Sequence, residues 1–533
     1  MPYISRLKLS NFKRFRNLDI KFQKDRNILV GNNASGKSSI LQALELCLLA
    51  NKKSIEDENL KFLINSAVVS NFISLPAAER NLVLLPKVKI EVFINEFEDP
   101  QFVGRNHSEN GDLAGIKLSI EPNSELGLDI NRIVSQEEIS FPFEFYIAKF
   151  TTFQGGSYSM YSCPLRHLLV DHSAIGAISG TSNYIKNLFT QIIDSNQKNL
   201  ISHQLRANKN NFNNEVLSGL TPNVPENFVL RTDKAHSISY SVSLESNGVD
   251  IMHEGKGSQS LIKTKFALQR RSEGTQVLLI EEPENHLSHS GLFELLRLFN
   301  ETHEGQTIIS THSSLMASGL ELNNLLIVGE NDSVSFSLSD IDPSTAKFFS
   351  KAPDHLLLEF ILSKKVLLVE GSAEFILLPQ LYKRMFPGHT LDGDGIRLIP
   401  VGGIKFKRYL TISNQLTKKT AFIQDNDGKT RDEVLNQYLQ LDDETSLINN
   451  DFQFLGLNEE VLQPTFETVL YSENKTLLDE LFGQRVRTNS VEEFLLANKT
   501  EVALELANYL EQNPDSDFNI PNYLQDTFRW LQD

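Results

Sequence analysis

Eight residues constrain this chain more than any others. Gly31-Asn32-Asn33-Ala34-Ser35-Gly36-Lys37-Ser38 fits the pattern G-x-x-x-x-G-K-[ST]. The apolar run Ile28-Leu29-Val30 precedes it, and a helical stretch from about Lys37 to Ala50 follows. In the order strand, glycine-rich turn, helix, backbone N–H groups close around phosphate oxygens and the positive end of the helix points at them. A glycine turn that merely caps a helix does not account for the full octet in this setting. Lys37 is expected to reach the β- and γ-phosphates of a nucleotide and Ser38 to ligate Mg²⁺. Asn32, Asn33, Ala34, Ser35, Gly36 and Ser39 are expected to line the same phosphates.

A second half of that site is legible roughly 240 residues later. Val277-Leu278-Leu279-Ile280 reads as a buried strand ending in Glu281-Glu282-Pro283-Glu284. A carboxylate at a strand end can hold Mg²⁺ through water, and the next can polarise an attacking water. Glu281 is assigned to the metal and Glu282 to the general base. Thr307 to Ser310 is a further strand, followed by His312, a candidate sensor of the γ-phosphate. Gly255 to Ser260 forms a glycine-rich turn before a helix, in which Gly257, Ser258 and Gln259 are candidate nucleotide contacts. Gln154 is a candidate for a further glutamine near the phosphates. His286 and His289 stand three apart, but no third metal ligand accompanies them.

A separate acidic pattern lies in the last third. An apolar strand, Lys365 to Glu370, ends in Glu370-Gly371, and a helix follows with Glu374 in its first turn. About 55 residues later a second apolar strand ends in Asp425-Asn426-Asp427-Gly428. In a parallel sheet both ends emerge on one edge, where such folds place their ligands. Strand alternation is expected to put Asp425 and Asp427 on one side. Clustered carboxylates repel one another, and Mg²⁺ or Mn²⁺ relieves that repulsion with oxygen ligands. Metals so held activate water and stabilise the leaving oxygen of a phosphodiester. Glu370, Glu374, Asp425 and Asp427 are therefore candidate metal ligands and catalytic residues. Asp392 to Gly395 lacks a calcium-loop pattern and reads as a turn.

The 533 residues exceed what one hydrophobic core serves, so at least two domains are expected. Residues 1–345 should form the nucleotide-binding unit, with an Asn-, Gln- and Ser-rich helical insertion over about 160–235. Strands are expected at 87–96, 142–150 and 237–245. A linker is expected over 346–360 and a second α/β unit over 361–533. Two cysteines, Cys47 and Cys163, build neither a disulfide framework nor a zinc site, and a reducing cytoplasm is the expected setting. No apolar run approaches the roughly 20 residues that cross a bilayer. The net charge of −17 argues against a general nucleic-acid-coating protein but not against a nuclease with local basic patches. Lys405, Lys407, Arg408, Lys418 and Lys419 are the candidates for such a patch.

Taken together these motifs resemble the OLD (overcoming lysogenization defect) family, in which an ABC-type ATPase is fused to a Toprim domain. The resemblance implies an α/β fold: an ABC-type P-loop head with a helical insertion, then a Toprim-like parallel-sheet domain. It implies that Gly255 to Ser260 is a signature loop acting in trans on another subunit's ATP, and hence a dimer or higher assembly through the ATPase domain. It makes Glu284 to Leu287 the D-loop region and His312 the switch histidine. Gly-Lys-Gly-Ser-Gln departs from the family's usual Ser-Gly-Gly-Gln. Glu467 and Lys499 match a further metal-binding glutamate and a late lysine that could stabilise phosphoryl charge.

The implied function is a DNA endonuclease using ATP and Mg²⁺ or Mn²⁺ in anti-phage defence. Family settings include stand-alone proteins, a nuclease paired with a helicase-like partner, and effectors held by a retron reverse transcriptase and its DNA. The alternative is an ATP-dependent DNA sensor or clamp whose Toprim domain is structural. A topoisomerase would need a tyrosine-bearing DNA gate, and a primase would need a zinc module that two cysteines do not supply.

Overall fold

The computed structural model divides the chain into two compact units, Met1–Asp340 and Ile341–Asp533. It describes residues 1–57, 60–159, 162–172, 195–217, 228–230, 242–246, 248–269, 276–301, 305–320, 322–329, 335–337, 347–349, 356–402, 406–438, 448–449, 451–486 and 490–533, with a few isolated positions between them.

The first unit holds two sheets. β1 (Tyr3–Phe12) and β2 (Phe15–Lys21) form an antiparallel hairpin, after which β3 (Arg26–Val30) leaves for the second sheet and runs into helix α1 (Lys37–Leu49). β4 (Val88–Asn95), β5 (Leu113–Pro122) and β6 (Tyr146–Thr152) complete the antiparallel sheet in the order β2-β1-β4-β5-β6. The strand expected at 142–150 starts later, because Pro142 leads into a short 3₁₀ turn over Phe143–Phe145. β5 was not anticipated from the sequence.

The second sheet carries the phosphate loop. Its strands are β3, β7 (His167–Asp171), β8 (Val277–Glu281), β9 (Gln306–Thr311), β10 (Leu325–Val328) and β11 (Ser335–Ser337), in the order β11-β10-β3-β9-β8-β7. All pair in parallel except β11. Its central strands are apolar runs because both faces are covered. Helix α1 shares one apolar cluster with both sheets: Ile40, Leu41 and Leu44 pack with Leu7, Ile90 and Leu118 and with Leu279 and Ile308.

β7 corrects the expected insertion over 160–235. Five residues with three central apolar side chains do not distinguish strand from helix, and only the open edge of β8 decides. Within the expected insertion, α2 (Ser195–Glu215) is helical. The strand expected at 237–245 lies largely outside the described residues. Helices α3 (Lys256–Gln269) and α4 (His289–Glu301) flank β8 in the chain.

The second unit begins with α5 (Leu356–Leu362), whose Leu357, Leu358 and Phe360 are buried, so 356–360 is packed structure rather than linker. Four parallel strands follow in the order β13-β12-β14-β15: β12 (Lys365–Val369), β13 (Ile396–Pro400), β14 (Lys419–Ile423) and β15 (Gln453–Gly456). Helices α6 (Ser372–Met385), α7 (Phe406–Leu416) and α8 (Arg431–Asn436) connect them, and α9 (Phe466–Glu473), α10 (Lys499–Gln512) and α11 (Asn522–Gln532) follow β15. Leu377 and Leu381 of α6, Leu506 and Leu510 of α10, and Leu524 and Phe528 of α11 share one core with Leu367 and Ala421 of the sheet. The fold class is α/β, as expected.

Candidate phosphate site and carboxylate centre

The loop after β3 has the backbone its glycines require. Ala34 and Gly36 take φ of 62° and 102°, and a Cβ on Gly36 would fall 2.3 Å from the Phe15 ring. A Cβ on Gly31 would fall 2.7 Å from Val328 O. Only glycine satisfies both constraints at Gly36. No side chain caps α1, so its first N–H groups lack an internal acceptor of that kind. Arg14 donates to the carbonyl of Ala34 from outside the loop. Asn33, Ala34 and Ser38 are exposed, Asn32 and Ser39 are half-buried, and Ser35 is buried.

The Lys37 ammonium folds back into this loop and donates to Gly31 O at 2.7 Å and Asn32 O at 3.1 Å. Burial pulls its pKa below the ordinary value, while the charges of Glu282, Glu284 and Glu281 pull the other way. These glutamates lie at the end of β8. Because β9 sits between β3 and β8, the three strand ends share one edge. Burial raises the Glu281 carboxyl pKa, and a hydrogen bond with Ser38 opposes that rise.

Glu282 takes a left-handed φ of 44°. Asn285 Nδ2 donates to its carboxylate at 2.9 Å, and His312 Nδ1 lies 3.6 Å from Glu282 Oε1. Glu284, assigned only to a D-loop region, has a definite structural task. Its Oε1 accepts from the Thr311 hydroxyl and from the N–H groups of His312 and Ser313 at 3.0 and 3.2 Å. Glu284 thereby sets the chain path that presents His312.

The expected signature turn is a correction. Gly257, Ser258 and Gln259 lie in the first turn of α3, not in a loop before it. A Cβ on Gly257 would stand 2.8 Å from His286 O, and Gln259 Nε2 donates to Glu254 O at 2.9 Å. Ser258 is exposed. Gln154 is exposed in a turn after β6. His289 stacks on Phe293, and no metal-ligand group forms around it among the described residues.

In the second unit, β12 and β14 are neighbours and deliver Glu370 and Asp425 to the same sheet edge. The Asp425 N–H donates to Glu370 Oε1 at 3.2 Å, and Asp425 Oδ1 accepts from the Phe466 N–H at 2.9 Å. Glu374 and Glu467 are buried, and Lys499 Nζ pairs with Glu467 Oε2 at 2.8 Å. Burial, then the charges of Glu370, Glu374 and Glu467, push the Asp425 carboxyl up to about 8, against the opposing pull of Lys499. Burial likewise raises Glu370, helped by Glu374 and Asp427, and raises Glu374, helped by Glu467. Glu370, Glu374, Asp425 and Lys499 therefore each feel charges from within this one sequence-named set.

Asp427 reaches this cluster by a different route from the one expected. β14 stops at Ile423, and Asp427 has a φ of 51°, so a turn and not strand alternation sets its direction. Buried Asn426 makes the turn. Its Nδ2 donates to Asn458 O and Glu460 O at 3.0 Å each, and its Oδ1 accepts from the Gly428 N–H at 2.8 Å. The donor set, carboxylate oxygens crowded at one partly buried sheet edge where a cation would relieve their repulsion, suits a hard divalent cation. As they stand, no three of these carboxylates close on a single point among the described residues.

Family models match three stretches of the chain. "AAA ATPase domain" covers residues 3–98, an AAA domain covers 165–318, and "Overcoming lysogenization defect protein-like, TOPRIM domain" covers 361–427. The last spans Glu370, Glu374, Asp425 and Asp427. The chain therefore joins two ATPase-domain matches to an OLD-like Toprim match, in that order. A RecF DNA replication and repair protein of Clostridium kluyveri is 36% identical over 17% of this chain and 24% of its own length. Endonuclease GajA of Bacillus cereus is 27% identical over 31% of this chain and 29% of its own. Old nuclease of Escherichia phage P2 is 27% identical over 33% of this chain and 34% of its own. This chain thus spans only about a quarter to a third of the length of these three relatives.

Two features of the OLD-like Toprim unit were not read from its sequence. One is half-buried Tyr523, whose hydroxyl pKa is pushed up by burial first and then by the charges of Asp425, Glu374 and Glu467. The expected basic patch is the second. Lys418 Nζ is buried on the carbonyls of Ile361 and Ser363, Arg408 lies 4.5 Å over the Phe348 ring, and Lys419 lies 4.9 Å over Trp530. Three of those five cations hold the fold, and Lys405 lies outside the described residues.

Proposed function

We propose that this protein is an ATP-binding, divalent-metal-dependent DNA endonuclease of the OLD type. The convergence of Glu370, Glu374, Asp425, Asp427 and Glu467 with Lys499 at one sheet edge carries the reading. Glu370, Asp425 and Asp427 would hold Mg²⁺ or Mn²⁺, with Glu374 and Glu467 completing the oxygen set. Such ions supply an activated water and neutralise the leaving oxygen. Asn426 fixes the turn that orients both aspartates. Lys499, at the first turn of α10, is placed to stabilise charge on the phosphoryl group once Glu467 turns to a metal.

In the ATPase unit, Lys37 would exchange the carbonyls of Gly31 and Asn32 for β- and γ-phosphate oxygens. Ser38 and Glu281 would hold Mg²⁺, Glu282 would orient the attacking water, and His312 would meet the γ-phosphate. The α3 N-terminus, with Gly257, Ser258 and Gln259, contacts ATP bound to a second copy, which requires a dimer or higher assembly. The family architecture supports a role in anti-phage defence with a helicase-like or retron partner, and the cytoplasm as the place of action. No helix among the described residues is long and apolar enough to cross a membrane.

A second reading has its own support. Lys499 already neutralises Glu467, which fits an ATP-dependent DNA clamp with a structural Toprim unit. Plasmid incubated with Mg²⁺ or Mn²⁺ decides between them. Nicking or linearisation that disappears in Asp425→Ala is expected. Identical behaviour of the two proteins removes the nuclease and leaves the clamp.

A further inference from the structure

Helix α3 is joined to the nucleotide residues of its own subunit by a buried polar seam. Ser260 Oγ donates to Pro283 O at 3.2 Å, and Thr264 Oγ1 lies 2.9 Å from His172 Nε2. Ser260, Thr264 and His172 are 0% exposed, and Lys263 between them is 1% exposed. A buried ammonium needs a paired carboxylate. Here Asp171 supplies the charge that counters its desolvation.

Asp171 is also a neighbour of the phosphate site. It ends β7 directly opposite Glu281 in the parallel register. The next N–H, that of His172, donates to Glu281 O at 3.2 Å. Glu281 is itself bonded to Ser38, and its carboxyl feels the like charge of Asp171. A continuous set of hydrogen bonds therefore runs from Ser38 through Glu281 and His172 to Thr264, the neighbour of Lys263 on α3, and Asp171 beside His172 supplies the charge that acts on Lys263. Lys263 lies six residues along α3 from Gly257, about 9 Å of helix.

We propose that Lys263 is a positioning residue that couples occupancy of the Ser38–Glu281 site to the placement of the α3 N-terminus. The proposal rests on the reading that this N-terminus meets a second copy's nucleotide. A cation drawn to Glu281 offsets the repulsion between Glu281 and Asp171. Asp171 then shifts relative to Lys263, and the rigid helix carries the shift to Gly257 and Ser258. The pair thus links the site a subunit binds to the site it completes.

The test uses the full chain with Lys263→Met, Asp171→Asn and the double variant, which removes both charges while keeping side-chain volume. Melting temperature, affinity for a fluorescent ATP analogue with Mg²⁺, steady-state hydrolysis, and nucleotide-dependent association by light scattering are measured. The double variant is expected to melt near the unsubstituted protein and to bind nucleotide nearly as well. Its hydrolysis and association should fall at least about tenfold, within the usual range of coupling between sites. If hydrolysis and association recover along with stability, the pair is structural and the proposal fails. A double variant that does not fold overturns it equally. If the unsubstituted protein shows no association with nucleotide, the trans reading fails by itself, and unchanged turnover in the double variant then removes the coupling too.

Discussion

Replacing Asp425 by Asn should stabilise the ion-free protein at slightly alkaline pH while destroying its response to metal. The carboxyl is raised from 3.8 to about 8 in the folded chain. A folded pKa above the unfolded value means the native state holds the proton more tightly. The resulting stability is full below about pH 4 and is lost as pH rises through 8. Four units correspond to at most about 6 kcal/mol. Glu370, Glu374 and Glu467 share that energy and relax together, so roughly 2 kcal/mol is the expected share of Asp425. Asn is neutral and nearly isosteric, and its Oδ1 keeps the bond from the Phe466 N–H. In EDTA at pH 8 the variant should therefore melt about 4–8 °C above the unsubstituted protein, and at pH 4 the two should coincide. Adding Mg²⁺ or Mn²⁺ should raise the melting temperature of the unsubstituted protein and barely move the variant. Equal melting at both pH values, or equal metal shifts, would refute the claim that repelling carboxylates at this edge await a cation.

Other substitutions probe the remaining parts. Lys37→Ala should weaken ATP binding by at least tenfold, on the order of 1.4 kcal/mol or more, with far-ultraviolet circular dichroism unchanged; normal affinity would mean the loop is miscast. Asn426→Ala removes the amide that ties the turn to the carbonyls of Asn458 and Glu460 and to the Gly428 N–H, and should cost about 1–3 kcal/mol in denaturant unfolding, with loss of cleavage. Ser258→Arg adds bulk to the exposed first turn of α3 and should abolish nucleotide-dependent association while leaving nucleotide affinity intact. Association that persists would place the interface elsewhere.

Local signals carried much of this protein. The octet Gly31 to Ser38 dictates its own left-handed backbone, because no other residue fits Gly36 beside Phe15. The apolar strands that end in Glu281, Glu370 and Asp425 name their own termini, since a doubly covered strand must be apolar and its carboxylates must wait for the edge. His167–Asp171 had no such signal. Its five residues become a strand only because β8 offers a free edge. The basic residues misled for a related reason. Lys418 looks like any surface lysine until its carbonyl partners are known.

The amino-acid sequence alone determined which groups exist and in what order: a phosphate loop, an acidic strand end, and a second acidic pair with a glutamate and a lysine behind it. Tertiary structure decided which of them meet. It turned Asp427 through Asn426, set Glu284 to hold the His312 loop, drew Lys499 onto Glu467, and buried Lys263 beside Asp171. Spacing along a chain reports local geometry. Charge interactions depend on distance and desolvation, and both exist only after distant segments have packed.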